Sequence, residues 1–275
     1  MGEKLNKKSL SERDICTKFI TPALEQAGWD IQTQVREEVS FTAGRIIVRG
    51  KTVKRGLSKR ADYILYYKPN IPLAIVEAKD NKHSLGDGMQ QALQYGEMLD
   101  VPYVFSSNGD GFLFHDRTGG SEKLETELSL GEFPAPSVLW ANYRKHKGLE
   151  EEENQVVIQD YYSDGSGKTP RYYQLNAINR TVEAVAKGQN RVLLVMATGT
   201  GKTITSLNCL LNEYEDTESY HAIILVPSIN LLNQWEKEVA QFNFDKVLLV
   251  GGGNNWEPTL ANYASNFQWD IKDDL

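Results

Sequence analysis

Three residues of this chain have the types and spacing for chemistry on a phosphodiester. Asp62 opens an apolar run of strand type, Arg60-Ala61-Asp62-Tyr63-Ile64-Leu65-Tyr66-Tyr67, and Glu77 and Lys79 close a second, Leu73-Ala74-Ile75-Val76-Glu77-Ala78-Lys79. The turn signal Lys68-Pro69-Asn70 joins them, so the pair reads as a hairpin or two adjacent strands. Side chains alternate along a strand, which puts Glu77 and Lys79 on one side and little Ala78 on the other. Two carboxylates and an ammonium at one sheet edge suit Mg²⁺, which takes oxygen ligands, keeps several waters and binds phosphate oxygens. Asp62 and Glu77 would be the metal ligands. Such a metal activates a water and stabilises charge on a scissile phosphate. Lys79 would position that water or neutralise the transition state. The bland alternative is a solvated strand end carrying a weak ion pair, and the placement of Asp62 argues against it.

A second constellation lies far downstream. The apolar run Arg191 to Met196 leads directly into Ala197-Thr198-Gly199-Thr200-Gly201-Lys202-Thr203 and then a helical pattern from Ile204 to Asn212. Strand, glycine loop and helix form the setting of a phosphate-binding loop. Backbone N–H groups of Gly199, Thr200 and Gly201 and the helix start would face the phosphates of ATP, Lys202 would reach the β and γ groups, and the Thr203 hydroxyl would ligate Mg²⁺. The common pattern begins with glycine where this chain has Met196.

These residues need elements to hold them. Ser11 to Ala27 reads as a helix, with Ser11 and Asp14 as a capping pair, an Ile15/Phe19/Ile20 stripe, Pro22 as a kink and Gly28 as the stop. Glu12 and Asp14 on its opening turn could reach the same metal, or simply complement the helix dipole. Trp29 to Phe41 reads as a first strand. Gly44 to Arg60 carries Arg45, Arg49, Lys51, Lys54, Arg55, Lys59 and Arg60 without an acid, which fits a solvated hairpin or a surface for the DNA backbone. Leu85 to Leu99 is helical, and Gln91 and Tyr95, one turn apart, can contact a nucleotide or pack on the sheet. Val101 to Ser106 and Gly111 to Phe114 read as strands around the turn Ser107-Asn108-Gly109-Asp110. The polar stretch from Arg144 to Pro170, with Glu150 to Glu153 and Ser163 to Gly167, resembles a linker whose acids are simply solvated. Beyond it, Tyr172 to Lys187 and Ile229 to Gln241 are helical, and His221 to Val226 and Lys246 to Val250 are further buried strands.

With 275 residues, 40% hydrophobic and 24% charged, the chain is of ordinary globular composition and long enough for about two domains. No apolar run is long enough to span a bilayer, and the first residues show no signal peptide. Cys16 and Cys209 share no metal spacing and read as reduced core residues, which fits the cytoplasm. The net charge of −7 argues against a uniformly basic nucleic-acid binder, although local clusters decide binding. His83, His115, His146 and His221 share no metal spacing and read as structural or solvated.

The first half resembles the PD-(D/E)xK nuclease domain of type I restriction endonuclease R subunits. The residues that carry the likeness are Phe19 to Leu24 with Ala27-Gly28-Trp29, Arg60 to Tyr63, Val76 to Lys79, Gln91-Ala92-Leu93-Gln94-Tyr95, Ser107 to Gly109 and Phe133 to Pro136. The resemblance implies metal ligation by Asp62 and Glu77, catalysis by Lys79, and assistance near the DNA from Gln91 and Tyr95. Tyr172-Tyr173-Gln174, Ala197 to Thr203 and Val226 to Gln234 look like the opening motifs of a superfamily 2 helicase. That likeness implies that Gln174 reads adenine. Ser228 stands where many relatives carry arginine.

The expectation is therefore an α/β chain with a mixed-sheet nuclease domain over 1–145, a linker over 146–170, and the start of a RecA-like parallel-sheet P-loop domain over 171–275. No strand with an Asp-Glu pair follows before Leu275, and Asp270, Asp273 and Asp274 lack an apolar strand before them. This predicts a truncated motor with an incomplete ATPase. The resemblance implies double-stranded DNA as substrate, ATP with Mg²⁺, and methyltransferase and specificity subunits as partners. The rivals are a nuclease–helicase fusion without those partners, and an inactive DNA-docking platform for a motor.

Overall fold

The computed structural model describes residues 6–42, 46–49, 52–55, 58–120, 123–160, 170–189, 191–196, 201–217, 222–242, 244, 247–251, 253 and 255–266. Gly199 and Thr200 of the expected phosphate loop, His221, and the closing acids Asp270, Asp273 and Asp274 lie outside them. The chain divides into two compact units, Met1–Tyr161 with Pro170–Val195, and Tyr162–Thr169 with Met196–Leu275.

A six-stranded sheet in the order β1-β4-β5-β6-β7-β8 builds the first unit, from β1 (Val35–Thr42), β4 (Ser58–Lys68), β5 (Ile71–Ala78), β6 (Tyr103–Ser107), β7 (Gly111–Asp116) and β8 (Glu125–Ser129). Only β5 and β6 run parallel. Helix α3 (Met89–Leu99) crosses over between them, as a parallel pair requires. β5 is central and buried along nearly its whole length, which explains why Ile71 to Val76 reads as an unbroken apolar run rather than an alternating one. One face packs on α3 through Ile64, Tyr66, Ile75, Ala92 and Val104. Elsewhere Phe105 gathers Phe112, Phe114 and Phe133 around it.

The first helix forms where expected, but in three pieces. Ser11 and Asp14 close the capping box of α1 (Glu12–Ile15), a π-helical turn covers Cys16–Ile20, and α2 (Thr21–Gln26) follows. Pro22 brings no N–H to the ladder, so the preceding turn widens. Gly28 ends the helix at φ 92°. The first strand starts at Val35 rather than Trp29, because Asp30 and Gln34 close a turn before it. The basic segment does contain a hairpin, β2 (Ile46–Arg49) with β3 (Thr52–Arg55). β8 has no counterpart among the sequence expectations, since its alternation of Glu125 and Glu127 with Thr126 and Leu128 is that of a half-exposed edge.

The expected linker begins with ordered structure. α4 (Pro136–Lys147) runs into its first residues, and α5 (Glu151–Val157) lies within it. Solvation does not suffice to explain the acids. Glu150 caps α5, Glu153 reaches back to the Glu150 N–H at 2.7 Å, and the run lies at the positive end of the helix dipole. α6 (Tyr172–Ala186) packs within the first unit. Arg180 makes a two-toothed ion pair with Asp100 at 2.7 and 2.8 Å, Asn179 donates to the Asn70 carbonyl, and Tyr143 donates to buried Glu183.

In the second unit the described elements are α7 (Lys202–Thr217), α8 (Ile229–Gln241) and α9 (Glu257–Asn266). Leu207, Leu211, Val239, Phe242 and Phe244 form its small core. The buried strands expected at 191–196, 221–226 and 246–250 are corrected here. No ladder forms at these runs among the described residues. Leu193 and Val195 are 87% and 88% exposed, and Ile223 and Leu225 are 86% and 89% exposed. The apolar run encodes a capacity for sheet, whereas burial requires a hydrogen-bonded neighbour and a covering layer.

Candidate active site

β4 and β5 pair antiparallel with Tyr63 opposite Val76, and one step further brings Asp62 opposite Glu77. Facing residues of an antiparallel pair lie close enough to interact. Here the two acids are interlocked. The Asp62 N–H donates to Glu77 Oε1 at 3.3 Å, and the Ala78 N–H donates to Asp62 Oδ2 at 2.8 Å. The parallel neighbour β6 anchors the end of β5, where the Lys79 N–H donates to the Ser107 carbonyl at 2.8 Å. The start of α3 closes over Glu77 at Gly88, where a β-carbon would fall 2.7 Å from Ser106 Oγ and 3.3 Å from Glu77 Cβ. Only glycine permits that approach.

Glu77 is fully buried, and its Oε2 has no hydrogen-bond partner. Burial, then the charge of Asp62, pushes its carboxyl up to about 9. A buried acid with an orphaned oxygen beside a second acid is costly unless a cation or proton joins it. The charge of Lys79 works against that rise, and its Nζ lies 3.9 Å from Glu12 Oε2. Glu12 is raised as well, by burial first and then by Asp62. The structure thus brings together Asp62, Glu77, Lys79 and Glu12. It does not bring Asp14, whose carboxylate is spent on Ser11 and Lys18.

A cavity of about 250 Å³ opens beside Asp62, walled by Glu12, Arg13, Cys16, Thr17, Glu37, Glu38, Arg60 and Tyr63. Among the described residues no group of three or more His, Cys, Asp or Glu is arranged as a closed metal cage. Mg²⁺ asks for less, since one or two carboxylates and several waters satisfy it. Asp62 with the orphaned Glu77 Oε2 fits that donor set. Gln91 and Tyr95 hold each other, Nε2 to hydroxyl at 3.2 Å. Tyr95 is buried edge-on against Phe41 at 5.1 Å, with the Lys59 ammonium 5.5 Å from its ring centre. Neither residue walls the cavity. Cys16 is half-buried rather than a core residue, and burial pushes its thiol up to about 11.

In the second unit, Gly201 has φ 82° and α7 starts at Lys202. Lys202 Nζ donates to the Met196 carbonyl at 3.1 Å, across the loop it would serve. Thr203 sits on the first turn of α7. Gln174, in the first unit, accepts from the Arg171 N–H at 2.9 Å and so helps to cap α6.

Residues 46–123 match the family described as type I restriction enzyme R protein N terminus, and residues 167–262 match the type III restriction enzyme res subunit family. The chain is 50% identical over 266 residues to the type I restriction enzyme EcoAI endonuclease subunit of Escherichia coli, covering 96% of this chain and 33% of that one. This chain belongs to the amino-terminal region of the type I restriction R subunits. The EcoKI endonuclease subunit of Escherichia coli strain K12 is 23% identical over 279 residues, covering 82% of this chain and 23% of that one. A solved fragment described as an HsdR subunit of a type I restriction enzyme from Vibrio vulnificus YJ016 superposes with a TM-score of 0.65 at 38% identity, over 75% of this chain and 38% of that one. The chain spans a third or less of the curated relatives it matches. The α/β class with a mixed sheet and a helicase-like segment stands.

Sequence reasoning passed over Glu37, Glu38 and Arg13. Their signal is weak, because charged residues on a half-exposed strand or a first helical turn are the rule. Only the fold sets them beside Asp62.

Proposed function

We propose that this R-subunit region carries a metal-dependent endonuclease site for double-stranded DNA together with the first part of an ATP-driven translocase. The observation that carries the nuclease reading is fully buried Glu77 against half-buried Asp62, with one Glu77 carboxylate oxygen lacking any partner. Asp62 and Glu77 would hold Mg²⁺, which when bound supplies an activated water and charge stabilisation at the phosphate. Lys79 would orient that water and offset the charge developing on the phosphate oxygens. Gln91 and Tyr95 would steady the sheet edge toward the duplex, and Lys59 and Arg60 would meet its backbone.

The motor reading rests on the helix start at Lys202 and the left-handed Gly201. Lys202 would reach the ATP phosphates, Thr203 would hold the accompanying Mg²⁺, Gly199 to Gly201 would line the loop, and Gln174 would read adenine. The domain division at 1–145, 146–170 and 171–275 belongs to the same reading. Methyltransferase and specificity subunits would supply site recognition, with the complex in the cytoplasm. In support, no helix among the described residues is long and apolar enough to cross a membrane.

The test is supercoiled plasmid incubated with the purified chain in Mg²⁺ or Mn²⁺, beside Asp62→Ala, Lys79→Ala and Lys202→Ala. Cleavage lost in the first two and kept in the third establishes a nuclease site that works without the motor. If the folded chain neither cleaves nor binds metal by titration, the site is a docking platform and the nuclease reading fails.

A further inference from the structure

Directly across from Asp62, on the other neighbouring strand, stands a residue in an unusual conformation. The β1–β4 ladder pairs Glu37 with Tyr63 and resumes at Val39 with Ala61, in unchanged register. Glu38 falls between them, opposite Asp62. Its φ is 51°, in the left-handed region that a side chain seldom occupies, at a cost on the order of 1–3 kcal/mol. The pleat breaks at the same level on both strands. Ala61 and Ile64, three apart, share one core cluster, although alternation would send them to opposite faces. As a result Asp62 and Tyr63 both line the cavity, and so do Glu37 and Glu38.

Two guanidinium groups converge on Glu38. Arg13 Nη1 lies 2.6 Å from one carboxylate oxygen, and Arg60 Nη1 lies 3.8 Å from the other. Arg13 comes from the first turn of α1 and Arg60 from β4, and Glu38 joins them. All three side chains are largely open to solvent, where an ion pair is worth about 0–1 kcal/mol. So weak a bond explains neither the left-handed backbone nor the break in the pleat. Guanidinium groups match phosphate oxygens as well as they match carboxylates, and they bind either with forked geometry. A phosphate at the position of the Glu38 carboxylate would lie in the cavity whose wall includes Asp62.

We propose that Glu38 is an internal stand-in for a DNA backbone phosphate, holding Arg13 and Arg60 at the cavity mouth until the duplex displaces it. This rests on the nuclease reading of the site. Arg13 and Arg60 then contact the backbone close to the phosphate under attack, and Glu38 keeps other anions from them beforehand.

The test measures binding of a short fluorescein-labelled duplex to the chain in EDTA over a series of KCl concentrations. Arg13→Ala and Arg60→Ala should each weaken binding and lower the slope of log K against log salt by about one. Glu38→Gln should tighten binding several-fold. Glu38→Gly should do the same and also raise the melting temperature, because glycine accepts this φ without strain. A purely structural tie between α1 and β1 would instead lower the melting temperature in both Glu38 variants without tightening binding. That result, or unchanged salt slopes in the arginine variants, overturns the proposal while the nuclease reading stands. If the unaltered chain binds no duplex even at low salt, the nucleic-acid reading falls with it, and the two failures are told apart.

Discussion

Two apolar runs of similar sequence, one from each unit, fare very differently. In the first, Leu73 to Val76 is an apolar run that disappears completely into a sheet hydrogen-bonded on both sides. In the second, Ile223 to Leu225 is equally apolar, yet it makes no ladder among the described residues and its side chains face solvent. The chemistry-bearing residues follow the same divide. The Glu77 carboxylate is held by the Asp62 N–H and the Asp62 carboxylate by the Ala78 N–H, so their geometry is a property of the sheet. Of the segment expected to hold phosphate, the described residues show a left-handed Gly201 and a helix that opens at Lys202. A site made of strand neighbours needs its sheet, whereas a glycine loop can be shaped by the helix that follows it.

The largest effect separating the two units should come from the acids. Glu77→Gln should lower plasmid cleavage by at least about 100-fold, the range expected when a positioned catalytic group is lost, while Lys202→Ala leaves cleavage unchanged. Next comes packing. Phe105→Ala should destabilise the first unit by about 3–5 kcal/mol in urea unfolding, whereas Ile223→Ala, at an exposed position, should move nothing beyond about 0.5 kcal/mol. Equal costs at the two positions would erase the contrast.

The buried acid also sets a pH dependence. Glu77 has its folded-state pKa raised to about 9 from 4.5, so its protonated form is the one the fold prefers. Without metal, the stability tied to this group is whole below pH 4.5 and is lost as pH rises toward 9. Melting curves in EDTA should fall over that window, and Glu77→Gln should flatten them. Mg²⁺ should restore stability at the alkaline end, because metal binding requires the carboxylate. At the surface ion pair the effect is small. Arg180→Ala removes the pair with Asp100 and should cost about 1 kcal/mol or less, seen as faster amide exchange along α6 with the sheet unchanged.

Much of this was legible beforehand where the signal is local. The Ser11–Asp14 cap, the turn after Lys68, the Gln91–Tyr95 pair and the start of α8 are all set by residues within a few positions of one another, whereas α7, read from Ile204, opens at Lys202. That Asp62 and Glu77 face each other could be read because the two strands that bear them are consecutive. What escaped depends on distant partners. Glu38 looks like any exposed strand acid until β1 is laid beside β4, and the acids of α5 look like a solvated run until the helix forms. Burial of the apolar runs at 191–196, 221–226 and 246–250 was misjudged for the same reason. Periodicity reports what a segment can bury, and the neighbours that bury it are written elsewhere in the chain.

The order of the strands has a consequence for how the protein is made. Asp62 and Glu77 are 15 residues apart and belong to adjoining antiparallel strands, so they can meet as soon as that short stretch of chain has been synthesised. Their enclosure comes later, because the Gly88 turn, α3 and the parallel strand β6 all lie further along the chain. Contacts of greater sequence separation form more slowly. On the ribosome, then, the two acids can be neighbours in water before Glu77 is enclosed. A divalent ion taken up at that stage would meet open carboxylates, and the crossover helix would close over a pair that is already neutralised.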